Sequence, residues 1–257
     1  MLSEPAFSPV TLSEAGGVRY LHLDSPWVQG AMRVRQPQFV ELEYVQRMLA
    51  SLLWLDLDAL RGAHAVQLGL GAGAITRFTL KALRLRTTVV ELNPMVIDVC
   101  RAWFHLPVGA ARLQVVCADA GAWLKAAEPG SATLLHVDLY DQEAAAPVLD
   151  DEAFYAGCRA LLTDEGVMSV NLFGRHASFE RSVARIAAVF GADHVWSLRP
   201  TREGNTVVVA TRAAALPDRA TLAARAATIE ARFGALGLPA RKWLRMLRPC
   251  RPIETPP

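Results

Sequence analysis

A chain of 257 residues, with 52% apolar side chains and a mean hydropathy of +0.21, holds enough material for one large domain, alone or with a small appendage. A net charge of +2 and an isoelectric point near 8.4 are too mild to imply nucleic acid or an acidic surface as partner. No uncharged apolar run reaches about 18 residues, and the start, MLSEPAFSPV, lacks a basic region and a long apolar stretch. The expectation is therefore no membrane partner, no signal peptide and a cytoplasmic location.

In chain order, VRYLHLD (18–24) and WVQGAMRV (27–34) are short β-type runs separated by Ser25-Pro26. They predict a small β-hairpin region over 1–37, with the main domain and a C-terminal helical extension over 38–257. FVELEYVQRMLASLLWL (39–55) places Val40, Tyr44, Met48, Leu52 and Leu55 at helical spacing. From residue 64 strands and helices alternate. HAVQLG is a strand, followed by a glycine-rich turn and a helix near 74–84. TTVVEL is a strand, after which Asn93-Pro94 caps and opens a helix. LQVVCAD, SATLLHVDL and GVMSVNLF are further strands, each followed by a helix. Such alternation predicts a parallel sheet with helices on both faces.

The end departs from the pattern. HVWSLRP (194–200) and NTVVVAT (205–211) are separated by TREG alone, enough for a hairpin and too little for a crossover helix. Five parallel strands with a terminal hairpin predict an α/β fold, a Rossmann-like, seven-stranded sheet of the AdoMet-methyltransferase type. DRATLAARAATIEARF (218–233) adds an amphipathic helix, and RKWLRMLRPCR (241–251) reads as a solvated helix face and a tail.

Cys100, Cys117, Cys158 and Cys250 are far apart, with no C-x-x-C pair, and the six histidines show no ligand spacing, so no metal is expected. His136, inside a strand, reads as packed rather than catalytic.

Three places carry chemistry. GLGAGA (69–74) joins the first parallel strand to its helix, and Gly69, Gly71 and Gly73 let a ligand approach the backbone closely. Glu91 ends the next strand, about 20 residues on, where a carboxylate meets a ribose diol in dinucleotide and AdoMet sites alike. Asp119, followed by Ala120, ends the third strand, where an acid can accept from an adenine amino group or simply cap the next helix. The stretch LLHVDLYDQEA (134–144) ends the fourth strand with Asp138 and Asp141 flanking Tyr140. Two close carboxylates suit a cationic substrate and can accept a proton from an amine, and Tyr140 offers an aromatic face to a cation. Alternatively, both acids cap a loop or helix.

These residues resemble the spermidine synthase (polyamine aminopropyltransferase) family over roughly 15–212. The strongest match runs from Asp138 to Gly174: DLYD stands where the family has Asp-Ser-x-Asp, and Phe154-Tyr155 follows where the family has Phe-Tyr. The resemblance implies an aminopropyl group moved from decarboxylated S-adenosylmethionine to a polyamine acceptor of the putrescine type. It implies Asp138 as proton acceptor and Asp141, with Tyr140, at the polyamine. It assigns Gly69, Gly71, Gly73, Glu91, Asp119, Ala120 and Gln46 to the nucleoside co-substrate, with no metal, and it invites a homodimer. The chain departs from the family at Ala72, where the family has an aspartate that holds the aminopropyl amine, and at Gln142, where it has proline. Val45-Gln46-Arg47 replace its Tyr-His-Glu, with Glu41, Glu43 and Tyr44 nearby. Two other readings fit the same scaffold, an AdoMet-dependent methyltransferase and a non-catalytic nucleoside-binding homologue, and a nicotinamide oxidoreductase is disfavoured by Asp119 and the terminal hairpin.

Overall fold

The computed structural model describes residues 7–140, 149–173 and 176–250. Its first element is an antiparallel three-stranded sheet, β1 (Val10–Ala15), β2 (Val18–Leu23) and β3 (Gly30–Arg33), where the sequence predicted a hairpin. Helix α1 (Glu43–Met48) follows and tightens into a 3₁₀ turn over Leu49–Trp54. The apolar stripe predicted for 39–55 thus faces inward, with Met48 and Leu52 fully buried, although the helix winds regularly for only six residues.

The main sheet is built by β4 (His64–Leu68), β5 (Arg86–Glu91), β6 (Leu113–Cys117), β7 (Ala132–Val137), β8 (Leu162–Phe173), β9 (Val195–Ser197), β10 (Asn205–Thr211) and β11 (Arg248–Pro249). Helices α2 (Ala74–Arg77, extended by a wider π turn to Ala82), α3 (Pro94–Trp103), α4 (Ala120–Ala126), α5 (Glu152–Leu161), α6 (His176–Phe190), α7 (Arg219–Phe233) and α8 (Ala240–Trp243) complete the chain. The strand order is β11-β9-β10-β8-β7-β4-β5-β6. Neighbouring pairs among β4, β5, β6, β7 and β8 are parallel, and β10 runs antiparallel to both β8 and β9, as the short TREG connection required.

The predicted seven strands are joined by an eighth. Arg248 and Pro249 pair with Ser197 and Trp196, and the Cys250 N–H donates to the Val195 carbonyl at 2.9 Å. An uncovered β9 would present a row of unpaired backbone groups, and the C-terminal segment covers it. Residues 241–250 are therefore more than a solvated tail, because Trp243 and Cys250 are buried as well.

Alternation along the strands divides the core. Ala65, Leu134, Val167 and Val209 face the α1 region and α7, packing on Leu52, Trp54, Ile229 and Phe233. Val66, Leu135, Met168 and Val170 face the other way, onto α4, α5 and α6. Leu21 and Met32 of the N-terminal sheet share a third buried cluster with Leu70, Ala72, Val89 and Val96. The small sheet is thereby pinned against the glycine turn. Cys100, Cys158 and Cys250 are buried thiols, and Cys117 is exposed. No helix among the described residues is long and apolar enough to cross a membrane.

Candidate active site

The C-terminal ends of β4, β5, β6 and β7 converge on one crevice, where open α/β sheets bind ligands. Gly69, Gly71, Glu91, Asp119 and Ala120 line a first cavity there. Gly69 has φ +85°, and a Cβ on it would lie 2.1 Å from the carbonyl oxygen of Asp138. Gly71 has φ +50°, and a Cβ on it would lie 2.9 Å from the carbonyl oxygen of Gln29. The turn is therefore glycine-rich because backbone packs on backbone at the cavity wall, and a side chain there would close the crevice.

Glu91 is fixed from both sides: the N–H of Leu70 donates to its Oε2 at 2.8 Å and that of Asn93 to its Oε1 at 2.9 Å. Burial pushes its carboxyl above the ordinary glutamate value against these donors. A carboxylate has about four acceptor sites, so two remain for a diol. Asp119 caps α4 by accepting from the Ala122 N–H at 2.7 Å, and it also lines the cavity.

A second cavity, of about 470 Å³, lies between the N-terminal sheet and the β8–β10 edge. Its wall includes Tyr20, Trp27, Tyr44, Phe173 and the carboxylates Glu41, Glu43 and Glu203. Two of these acids have cations in contact, Arg33 on Glu41 and Arg47 on Glu43, each at 2.6 Å. Gln29, Asp138 and Tyr140 line both cavities. The two spaces thus meet at a carboxylate.

Asp138 is half-buried at this junction. Its backbone N–H continues the β7–β4 pairing by donating to Leu68, and its Oδ1 accepts from Asn171 Nδ2 at 2.9 Å. The Tyr44 hydroxyl donates to it as well. Desolvation raises the Asp138 carboxyl above the usual aspartate value, and these two donors pull it part of the way back. Burial, with Asp138 nearby, holds the Tyr44 phenol well above its usual value, so it stays a donor. Tyr140 is locked edgewise: its hydroxyl donates to the Asn171 carbonyl at 2.7 Å and accepts from the Phe173 N–H at 2.5 Å.

Several residues read from the sequence lie elsewhere. Gln46 lines neither cavity and donates to the Val40 carbonyl at 2.8 Å. Gln46 lies two positions on from Tyr44, about 200° around the helix, so Gln46 points away where Tyr44 points to Asp138. Gly73 is also off the wall; it caps α2 at φ +69° above the Arg77 guanidinium. Ala72 is buried, with the backbone of Gly30 pressed against it, and presents nothing to either cavity. Asp141 and Gln142 lie outside the described residues. His136 is packed as expected; it bonds Ser169 at 2.8 Å, and burial pushes its imidazole down to about 4. No cluster of metal-ligating side chains occurs among the described residues.

Sequence reasoning missed Asn171 and Asn205 as site residues. Their roles follow from strand pairing rather than from a local pattern: Asn171 sits inside the apolar run GVMSVNLF, where asparagine is unfavourable, and Asn205 opens NTVVVAT.

Fold and crevice together define a class, a mostly parallel α/β sheet of the methyltransferase type with carboxylates at the ends of adjacent strands. The chain belongs to the spermine/spermidine synthase family, whose spermine/spermidine synthase domain matches residues 45–214. It is 33% identical over 231 residues to a polyamine aminopropyltransferase of Chromobacterium violaceum, covering 89% of this chain and 86% of that protein. A polyamine aminopropyltransferase of Neisseria meningitidis is 31% identical over 209 residues, covering 81% and 78%. A probable spermidine synthase from Corynebacterium glutamicum superposes with a TM-score of 0.73 at 21% identity, covering 99% of this chain and 97% of that one, a likeness of fold.

Proposed function

We propose that this protein is an aminopropyltransferase that moves the aminopropyl group of decarboxylated S-adenosylmethionine onto a polyamine acceptor of the putrescine type. The observation that carries this reading is the position of Asp138, a half-buried carboxylate shared by two cavities. The first cavity takes the nucleoside: Glu91 accepts from the ribose hydroxyls, Asp119 from the adenine amino group, and Gly69, Gly71 and Ala120 leave room for it. The second takes the amine, whose methylenes lie along Trp27, Tyr20 and Phe173 and whose charge is drawn by the acidic wall. Asp141 is assigned to the same amine.

The chemistry then requires little beyond alignment and proton removal. The acceptor enters as an ammonium and has no lone pair. Asp138, ionised, takes one proton. The freed nitrogen attacks the propyl carbon bonded to sulfur, the C–N bond forms, the C–S bond breaks, and its electron pair returns to sulfur. Methylthioadenosine leaves, the new secondary amine stays an ammonium, and Asp138 passes the proton it took to solvent. Burial raises the Asp138 carboxyl and so makes it a better proton acceptor, while the bonds from Asn171 and Tyr44 act the other way and favour its ionised form. The reading includes a cytoplasmic location and a homodimer.

The test is product analysis. Full-length protein is incubated with 1,4-diaminobutane and either decarboxylated AdoMet or AdoMet, and methylthioadenosine and the triamine are quantified. Both products from the decarboxylated donor alone are expected. A methylated amine, formed from AdoMet, would contradict the proposal.

A further inference from the structure

Asp138 is oriented by two asparagines in series. The strands β8 and β10 run antiparallel, with Phe173 opposite Asn205 and Asn171 opposite Val207, so Asn171 and Asn205 are diagonal neighbours on one face. Asn205 Nδ2 donates to Asn171 Oδ1 at 3.1 Å, and Asn171 Nδ2 donates to Asp138 Oδ1 at 2.9 Å. Backbone bonds hold both residues in place. Asn171 is 3% exposed, and its carbonyl is tied to the Tyr140 hydroxyl. Asn205 closes a tight turn in which the Thr201 N–H donates to its carbonyl at 2.8 Å and its own N–H donates to Thr201 Oγ1 at 3.2 Å.

An amide has a donor end and an acceptor end, whereas an ionised carboxylate only accepts. Asn171 must therefore show its NH₂ to Asp138 when Asp138 is charged, and its oxygen must then face Asn205. Asn205 supplies the donor that oxygen needs. With Asn171 reversed, its oxygen would face the carboxylate, an arrangement that suits only protonated Asp138.

We propose that Asn205 is a positioning residue that, through Asn171, selects the ionised form of Asp138. It acts on Asp138 through Asn171, to which it is bonded, and it also lines the second cavity. The inference rests on Asp138 as the proton acceptor, and it extends that reading to a residue at the start of β10. Among the described residues, the other groups facing Asp138 are Tyr44 from α1, Tyr140 beside it, Glu91 from β5, and the cavity acids Glu41, Glu43 and Glu203.

The experiment compares pH profiles of kcat/KM for wild type, Asn205→Asp, Asn205→Leu, Asn171→Leu and the Asn171→Leu/Asn205→Asp double variant. Each is paired with a ¹³C-carboxyl titration of Asp138, assigned with Asp138→Asn. A carboxylate in place of the Asn205 amide would accept rather than donate, so Asn171 reverses and the protonated acid is favoured. Asn205→Asp should lose about tenfold on the acid limb relative to its own plateau, the equivalent of one pH unit. Asn205→Leu should move the same way by less. In the Asn171→Leu background the effect of Asn205→Asp should nearly vanish, since the relay is already cut. A shift that persists there would be direct charge repulsion and would overturn the relay, as would an Asn205→Asp profile identical to wild type. An inactive wild type would refute the transferase reading alone, because the carboxyl titration still reports whether Asn205 acts on Asp138.

Discussion

The two cavities that share Asp138 are built in opposite ways. The first is made of strand ends and the turns that follow them: Gly69 and Gly71 after β4, Glu91 at the end of β5, Asp119 at the N-cap of α4. Each side chain is held by backbone within a few residues, apart from the Leu70 N–H that crosses from the neighbouring strand to Glu91. The second is assembled from segments far apart in the chain: Trp27, Tyr44, Asn171 and Glu203, held by side-chain bonds and ion pairs. Local backbone geometry builds a site that a sheet supplies almost automatically. Side-chain relays build one that can be retuned without disturbing the fold.

This contrast can be broken by substitution. The largest effect on binding is expected in the first cavity. Glu91→Gln removes a charged acceptor from a diol, and methylthioadenosine affinity should fall between about tenfold and a hundredfold, with the KM for the amine unchanged. Calorimetry and steady-state kinetics together check this. A change in the amine KM of equal size would mean that the two cavities are not separately built.

A smaller effect, of another kind, is expected at Tyr44. Its hydroxyl favours ionised Asp138, so Tyr44→Phe should raise the Asp138 carboxyl further and move the acid limb of the rate profile to higher pH. The direction follows because the reactive form is the deprotonated one, which is lost as pH falls through a raised value. The kcat below that limb should drop about tenfold, with nucleoside affinity unaltered. The smallest effect is expected at Glu203, which is exposed on the β9–β10 turn. Glu203→Gln should raise the amine KM by no more than about threefold, because an exposed charge pair in water is weak. Raising the salt concentration should erase the difference.

The same contrast decides what the sequence disclosed. The glycine turn, Glu91, Asp119 and the β-then-α alternation were legible because period and spacing are local. Asn93 was read as an N-cap and does accept from the Met95 N–H, and Asp138 was read at the end of its strand. Gln46 lies off both cavities because it is two positions, about 200° of helix, from Tyr44, and only packing against the sheet reveals that Tyr44 faces inward. Gly73 was grouped with the cavity glycines because spacing does not distinguish a left-handed cap from a ligand contact. Asn171 and Asn205 were silent because their partners are 33 and 34 residues away in sequence, and the pairing of β8 with β10 brings them together. The strand β11 was missed because a two-residue edge carries no periodicity at all.

Asp138→Asn tests the central claim most directly, with turnover of decarboxylated AdoMet and 1,4-diaminobutane measured beside methylthioadenosine binding. An amide keeps the shape and removes the proton acceptor. The account predicts a loss of kcat between about a hundredfold and ten-thousandfold, with nucleoside affinity held within about threefold. Turnover within a few fold of wild type, with the nucleoside still bound, would contradict it and leave Asp138 without its assigned role.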